Sequence, residues 1–172
     1  MPIPPMADLP PLAPPLYVVL VAPRIPQNVG NVARTCSVTG ARLHLVGPLG
    51  FSLDDRYLRR AGLDYWSDVQ PVVHRDWPQF EALALGGQSP RRLSGAGLHL
   101  FTARARASLW TAGFAPGDFL VFGQEQLGLP PALLDAWPER QLSIPMLPGK
   151  RSLNLAVAVG VALYAALAQL GR

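Results

Sequence analysis

The chain has 172 residues, a length typical of a single domain with a substantial core. Its 15 Lys and Arg residues outnumber 11 Asp and Glu residues, and the resulting net charge of +4 is compatible with a polyanionic partner such as a nucleic acid. The single cysteine, Cys36, excludes an intramolecular disulfide framework. No group of Cys and His residues has the spacing of metal ligands, so no metal is expected.

The two ends of the chain differ in character. Residues 1–15 are rich in proline, which predicts a flexible tail, and residues 16–172 are expected to form the folded domain. The amino terminus lacks the charged and continuous apolar regions of a signal peptide. The apolar run at 155–168 is about 14 residues long, shorter than the roughly 20 that a spanning helix needs, so no membrane segment is predicted. We therefore expect a cytoplasmic protein.

Strand and helix patterns alternate along the chain. Residues 16–22 form an apolar, β-branched run typical of a strand buried on both faces. A helix is predicted from Val29 to Thr39, ended by Gly40. Further elements are expected as a strand at 42–46, a helix at 54–61, a weaker strand at 69–74 that Pro71 breaks, a helix at 77–85, strands at 97–102 and 119–122, helical turns at 130–137 and a strand at 141–144. This alternation predicts an α/β fold with a mainly parallel sheet and helices on both faces.

A long apolar helix is predicted to close the chain. Ser152 is expected to be its N-cap, because a serine hydroxyl accepts from a free N–H of the first turn. From Leu153 to Leu170 the helix is apolar on nearly every face, so it must be covered on nearly every face. The preceding loop, 144–152, is polar and constrained by prolines, which makes it a candidate ligand-binding segment.

Ligands of parallel sheets bind at the carboxyl ends of the strands, and two unusual segments lie there. Asn28, Asn31 and Arg34 are spaced three apart, so they share one side of the first helix and suit phosphate and hydroxyl recognition. The alternative is a cap at Asn28 followed by a solvated polar face, and the spacing does not decide between the two.

The second segment is the loop 123–128. A glycine at a strand end, here Gly123, allows another molecule to approach the backbone closely. Glu125 is a candidate base or cation ligand, although an acid at such a position more often caps a helix or pairs with an arginine. The loop lacks the Gly-Lys-Ser/Thr ending of a P-loop, and the chain contains no Gly-x-Gly-x-x-Gly, so an ordinary dinucleotide fold is unsupported.

Three ordered motifs resemble those of the SPOUT class of methyltransferases, of the SpoU type. They are Asn28-x-Gly30-Asn31-x-x-Arg34, then Phe122-Gly123-x-Glu125-x-x-Gly128-Leu-Pro130, then Ile144-Pro-Met-x-Pro148 with Arg151-Ser152-Leu-Asn154-Leu. The stretch from Phe51 to Tyr65 is similar to the small single-domain subfamily that methylates the ribose 2′-hydroxyl of the wobble nucleotide in tRNA. The resemblance covers residues 16–171.

The resemblance implies a SPOUT fold, in which the carboxyl-terminal part of the α/β sheet forms a trefoil knot. It implies S-adenosylmethionine as cofactor, bound by Phe101, Thr102, Gly123, Ile144, Leu147, Ser152, Leu153 and Asn154. It also implies Arg34 and Asn31 as catalytic residues. Because a guanidinium is almost never deprotonated at neutral pH, we expect Arg34 to hold the adjacent phosphate and to stabilise developing oxyanion charge, and Asn31 to orient the loop. The implied partners are the tRNA anticodon stem-loop and a second copy of the chain, with Tyr164 at the dimer interface.

Two other functions stay open at this point. One is a ribosomal-RNA 2′-O-methyltransferase of the same class. Such enzymes often carry an added amino-terminal RNA-binding domain, and the short proline-rich tail here favours tRNA. The other is a non-catalytic RNA-binding or assembly factor on this fold. The intact Asn31, Arg34 and Gly123 argue against the loss of catalysis.

Overall fold

The computed structural model describes residues 9–53, 65–86 and 97–172. Within this part of the chain the strands are β1 Tyr17–Val21, β2 Arg42–Val46, β3 Val72–His74, β4 Leu98–Phe101, β5 Phe119–Phe122 and β6 Gln141–Leu142. They form one sheet in the order β3-β2-β1-β5-β4-β6, and every neighbouring pair is parallel. The predicted parallel sheet is confirmed.

Helices cover both faces of the sheet, as predicted. They are α1 Pro26–Thr39, α2 Trp66–Val69, α3 Trp77–Ala84, α4 Pro131–Ala136 and α5 Leu155–Gln169, with 3-10 turns at Leu109–Thr111 and Pro138–Arg140. Successive side chains of β1 belong to the cores on opposite faces of the sheet. Val18 and Leu20 belong to the core with α1 and α5, whereas Val19 and Val21 belong to the core with α3 and α4.

α1 begins three residues earlier than predicted. Pro26 occupies the first helical turn, where its missing N–H leaves no bond unmade and its fixed φ suits a helix, and Ile25 is the N-cap in an extended conformation. The alternative left open above, in which Asn28 caps this helix, is therefore wrong. Gly40 ends the helix in the left-handed conformation, at φ 72°, as predicted.

α5 begins later than predicted, and its N-cap is Asn154 rather than Ser152. The Asn154 Oδ1 accepts hydrogen bonds from the N–H groups of Ala156, at 2.9 Å, and Val157, at 3.3 Å. One carboxamide oxygen thus satisfies two free donors of the first turn, which a hydroxyl two residues earlier does not reach. One side of α5 is buried in the core, while Val157 and Tyr164 are each about half exposed.

Two further strands are shorter than predicted. The predicted strand at 69–74 is interrupted because Gln70 has a left-handed φ of 45° and Pro71 lacks an N–H, so β3 holds only 72–74. β6 stops at Leu142, and Ser143 makes only an isolated bridge, to Ser108.

The helix predicted at 54–61 lies outside the described residues. The boundary between tail and domain at residue 16 stays a prediction, although Leu9 and Leu12 pack against the core.

Candidate active-site cleft

A cleft of about 800 Å³ opens at the carboxyl ends of β4 and β5. Its walls come from the loop after β4, the loop after β5, α4 and the segment that leads into α5. This volume lies within the range of small-molecule and cofactor sites, and the location is the usual one for a parallel sheet. A cleft that could hold a ligand therefore lies where the sequence predicted one, at the carboxyl ends of the strands.

Most of the predicted cofactor residues line this cleft. They are Phe101, Thr102, Gly123, Ile144, Ser152 and Leu153. Leu147 and Asn154 do not line it: the Leu147 side chain is 75% exposed on the preceding loop, and Asn154 caps α5. Arg104 and Arg151, which were not predicted as cofactor residues, also line the cleft. Their positions in the sequence could have indicated them, because Arg104 follows the end of β4 by three residues and Arg151 lies in the candidate loop 144–152.

Stacked aromatic rings form the apolar floor of the cleft. Phe101 and Phe122 are partners in the β4–β5 register, and their ring centroids lie 4.6 Å apart with the planes inclined by 7°. Both side chains are largely buried, and Ile144 and Leu155 add apolar surface. Such a floor suits a flat, weakly polar group, and nearby loop backbone supplies hydrogen-bonding groups.

The loop after β5 folds back tightly on itself. Gln124 N–H donates to the Gly128 carbonyl at 3.2 Å, and Gly128 N–H donates to the Gln124 carbonyl at 2.9 Å. A Cβ atom at Gly123 would collide with the backbone of Gly128 and Leu129. We expected Gly123 to admit another molecule. The backbone that approaches it closely is instead the chain's own, so this glycine shapes the cleft wall.

Glu125 ties this loop to the start of α1. Its Oε2 accepts from Arg24 N–H at 2.9 Å, and its Oε1 accepts from Ile25 N–H and from Asn28 Nδ2, each at 3.1 Å. The carboxylate thus satisfies free donors at the amino end of a helix, where negative charge is favoured. With these partners, Glu125 acts as a cap for α1 rather than as a base or a cation ligand.

Asn28 extends the connection to the third motif. Its side chain is buried, at 6% exposure, and its Oδ1 accepts from Asn154 Nδ2 at 3.0 Å. We call Glu125, Asn28 and Asn154 the motif junction, because each belongs to a different one of the three sequence motifs. The junction fixes the start of α1, the loop after β5 and the start of α5 relative to one another.

Replacing Glu125 with Gln is expected to lower the free energy of unfolding by about 1–3 kcal/mol at pH 7, because hydrogen bonds to a charged acceptor are lost. Partial burial raises the pKa of Glu125, but the hydrogen bonds from Asn28, Arg24 and Ile25 together outweigh it, so the pKa lies below its ordinary value. The ionised carboxylate therefore stabilises the fold above its unfolded pKa of about 4.3, and this contribution is lost as pH falls through the lower folded pKa.

Urea unfolding of both proteins between pH 3 and 8 measures this effect. The difference between wild type and Glu125→Gln should be constant above about pH 5 and shrink in acid. A difference that does not change with pH would contradict the role of the charge. Glu139→Gln, which changes an exposed carboxylate in the 3-10 turn 138–140, is the matched control.

Asn31 and Arg34 lie outside the cleft, on the exposed side of α1. The predicted row of three polar residues is thus divided, with Asn28 buried and the other two in solvent. The Arg34 guanidinium lies over the Tyr65 ring, with its Cζ 4.8 Å from the ring centroid. Within the described ranges Arg34 makes no ion pair with a carboxylate. Among these residues, no carboxylate competes with a ligand for its N–H donors or its charge.

Other candidate chemistries find less support among the described residues. Burial raises the pKa of the Cys36 thiol to about 12, and the side chain is fully enclosed in the core, so it is no nucleophile. Residues 9–53, 65–86 and 97–172 hold no cluster of three or more His, Cys, Asp or Glu side chains placed as metal ligands. In the same ranges, every helix is too short or too polar to cross a bilayer.

Comparison with known proteins relates this chain to a family. The sequence profile of the SpoU rRNA Methylase family matches residues 15–164. A tRNA (cytidine(34)-2'-O)-methyltransferase of Burkholderia pseudomallei (strain 1106a) is 50% identical over 155 residues, which cover 90% of this chain and 95% of that protein.

Solved structures share the fold as well. One, described as giving structural insights into the 2-OH methylation of C/U34 on tRNA, has a TM-score of 0.79 and 50% identity, and covers 91% of this chain and 97% of its own. The SpoU methyltransferase AviRb from Streptomyces viridochromogenes, in complex with the cofactor AdoMet, has a TM-score of 0.73 and 25% identity. That match covers 99% of this chain and 63% of the other.

Proposed function

Because the chain belongs to the SpoU rRNA methylase family, we propose that it transfers a methyl group from S-adenosylmethionine to the ribose 2′-hydroxyl of the wobble nucleotide in tRNA. The observation that carries the substrate is the 50% identity, across 95% of its length, to a protein named for the 2′-O-methylation of tRNA cytidine 34. The cleft and the exposed Arg34 supply a cofactor site and an RNA-facing cation for this reaction.

The cleft residues fit S-adenosylmethionine. Stacked Phe101 and Phe122, together with Ile144, would hold the flat adenine, and the backbone of loops 123–128 and 144–152 would meet its polar edges. When bound, this cofactor supplies a methyl group activated by a positively charged sulfonium. The chain's task is then to orient the acceptor hydroxyl and to exclude competing water.

Arg34 is the proposed electrostatic catalyst. A guanidinium stays protonated at neutral pH, so it does not serve as a general base. Its planar donors suit bidentate contact with a phosphate, and its charge stabilises the negative charge that develops on the 2′-oxygen. Asn31 lies one helical turn earlier on the same exposed side of α1, where we assign it to orienting the loop and the substrate backbone.

We also propose that the site is completed by a second copy of the chain. Arg34 and Asn31 lie outside the cleft that would hold the cofactor, and contact between two copies would bring the two halves of the site together. Exposed apolar side chains accompany them: Val38 on α1, and Val157 and Tyr164 on α5, are each more than half exposed. α1 and α5 pack on one another, so their outer sides form a continuous candidate interface.

Tyr164→Glu is expected to dissociate this dimer, because it places a charge in a desolvated apolar interface. The dimer dissociation constant should rise at least about tenfold, measured by sedimentation velocity over a dilution series. Leu83→Glu is the matched control, since Leu83 is 69% exposed on α3, across the sheet from α1 and α5. A Tyr164→Glu protein that stays dimeric to the same dilution as wild type would contradict this interface.

The trefoil knot of the SPOUT fold belongs to the same proposal. In its support, β6 lies at the sheet edge beside β4, whereas α5 returns to pack on α1 and β5 near the middle of the sheet. On this proposal, the closing segment would cross the loops that follow β4 and β5. As a tRNA-modifying enzyme, the protein would act in the cytoplasm.

The function is tested by mapping 2′-O-methyl groups in RNA from cells with and without this protein. We expect the wobble nucleotide of a subset of tRNAs to lose its methyl group and to regain it on complementation. Purified protein should also methylate an isolated anticodon stem-loop. Unchanged tRNA together with a lost ribosomal-RNA methyl group would identify a ribosomal-RNA enzyme of the same family. No change in either RNA, with no binding of S-adenosylmethionine, would identify a non-catalytic protein.

A further inference from the structure

Among the described residues, the aromatic ring of Tyr65 contacts the Arg34 guanidinium. The Arg34 side chain is exposed on α1, and its Cζ lies 4.8 Å from the Tyr65 ring centroid, within the range of a cation–π interaction. The described ion pairs do not include Arg34. Within the described residues, the ring is therefore the group in a position to influence where this exposed side chain points.

We propose that Tyr65 is a positioning residue for Arg34: its ring holds the guanidinium in one orientation while leaving the charge and the N–H donors available to the substrate. This inference rests on the proposed function and deepens it. Nothing in the motif that contains Arg34 identifies Tyr65, which lies 31 positions further along the chain.

An aromatic partner differs from a carboxylate in ways that matter here. A carboxylate would occupy two guanidinium donors in a bidentate pair and neutralise the charge, so it would compete with an RNA phosphate. A ring face attracts the cation through its quadrupole and leaves the five N–H donors, which lie in the guanidinium plane, unoccupied. The arrangement therefore restricts Arg34 without reducing what it offers a phosphate or a developing oxyanion.

The Tyr65 backbone is itself well anchored. Tyr65 is the N-cap residue of α2, and its carbonyl accepts from Val69 N–H at 3.1 Å. Val69 is buried in the same core as α1, and Trp66 packs against that core. α2 lies directly against α1, so the ring and the arginine are held on two elements with a common support. A side chain fixed before the substrate arrives loses less conformational entropy on binding.

The first experiment compares Tyr65→Leu with Tyr65→Phe. Single-turnover methyl transfer to an anticodon stem-loop is measured at saturating S-adenosylmethionine. Tyr65→Leu, which keeps apolar bulk but removes the ring face, should slow transfer about two- to thirtyfold, and Tyr65→Phe should restore the rate to within about twofold of wild type. The thermal midpoint and the cofactor affinity should stay at wild-type values in both. Equal rates in all three proteins, or an equal loss in Phe and Leu, would overturn the proposal.

A second experiment asks whether Tyr65 acts through Arg34. If it does, adding Tyr65→Leu to an Arg34→Gln protein should cost nothing further, because the group that it positions is absent. A full additional loss in the double variant would overturn the positioning role. The residual rate of Arg34→Gln is followed with excess enzyme over long incubation.

A third measurement does not depend on activity. The ring should shift the NMR signals of the Arg34 side-chain protons upfield in wild type and Tyr65→Phe, and Tyr65→Leu should abolish the shift. Absence of the shift in wild type would overturn the contact. If wild type shows the shift but transfers no methyl group to RNA, the proposed function fails while the contact stands, and Tyr65 then has no catalytic arginine to position.

Discussion

Arg34→Ala is expected to slow methyl transfer at least about a hundredfold while S-adenosylmethionine binds with unchanged affinity. Removing a group that stabilises developing oxyanion charge typically has an effect of this size. The cofactor is spared because Arg34 lies on the exposed side of α1, outside the cleft. Single-turnover transfer to an anticodon stem-loop measures the first effect, and titration calorimetry measures the second.

Two further variants sharpen this result. Arg34→Lys keeps the charge but loses the planar donor fork, so an intermediate rate would assign part of the effect to bidentate geometry. Arg42→Ala removes an exposed arginine at the amino end of β2, the opposite end of the sheet from the cleft, and should leave transfer unchanged. Normal turnover by Arg34→Ala would exclude Arg34 from catalysis, and a loss of cofactor affinity would place it in the cofactor site instead.

Gly123→Ala is expected to weaken S-adenosylmethionine binding at least about tenfold and to lower the free energy of unfolding by about 1–3 kcal/mol. The added Cβ would collide with the backbone of Gly128 and Leu129, so the loop that forms the cleft wall must open. Calorimetry with the cofactor and urea unfolding without it separate the two effects.

Gly113→Ala is the matched control for this prediction. A Cβ at Gly113 has no heavy atom within 4 Å, so the same chemical change should leave both the stability and the affinity close to wild type. A Gly123→Ala protein that binds the cofactor like wild type would show that the loop tolerates the displacement. The shape of the cleft wall would then not depend on this glycine.

Much of the fold was predictable because it depends on local patterns. The apolar runs that became β1 and β5 are buried on both faces, and a continuous run of this kind has few other stable placements. Helix starts were less predictable, since neighbouring residues compete for the same capping role. The N-cap residues are Ile25, which is followed by Pro26 in the first turn, and Asn154, rather than Asn28 and Ser152. Local composition alone does not rank such competitors.

The candidate site was likewise predictable only in part. Motif residues such as Gly123 and Ile144 were identified from sequence and do line the cleft. The contacts that organise them join residues distant in sequence, and spacing carries no information about such pairs. Asn154 donates to Asn28 across 126 positions, and Arg34 meets Tyr65 on a different helix. The sequence also predicted that α5 is covered on nearly every face. In the single chain one side of α5 is buried and the other is exposed, and a single chain does not show what covers the exposed side.

The motif junction has a consequence for how the protein is made. Glu125 and Asn28 are 97 positions apart, and Asn28 and Asn154 are 126 apart. Contacts between residues this far apart in sequence form slowly and late in folding, because long loops must close before such contacts contribute any stability. During synthesis, a chain that has not yet released Asn154 from the ribosome holds most of the cleft lining without its mutual alignment. Cofactor affinity should therefore appear abruptly, when the final helix docks, rather than grow as the chain lengthens.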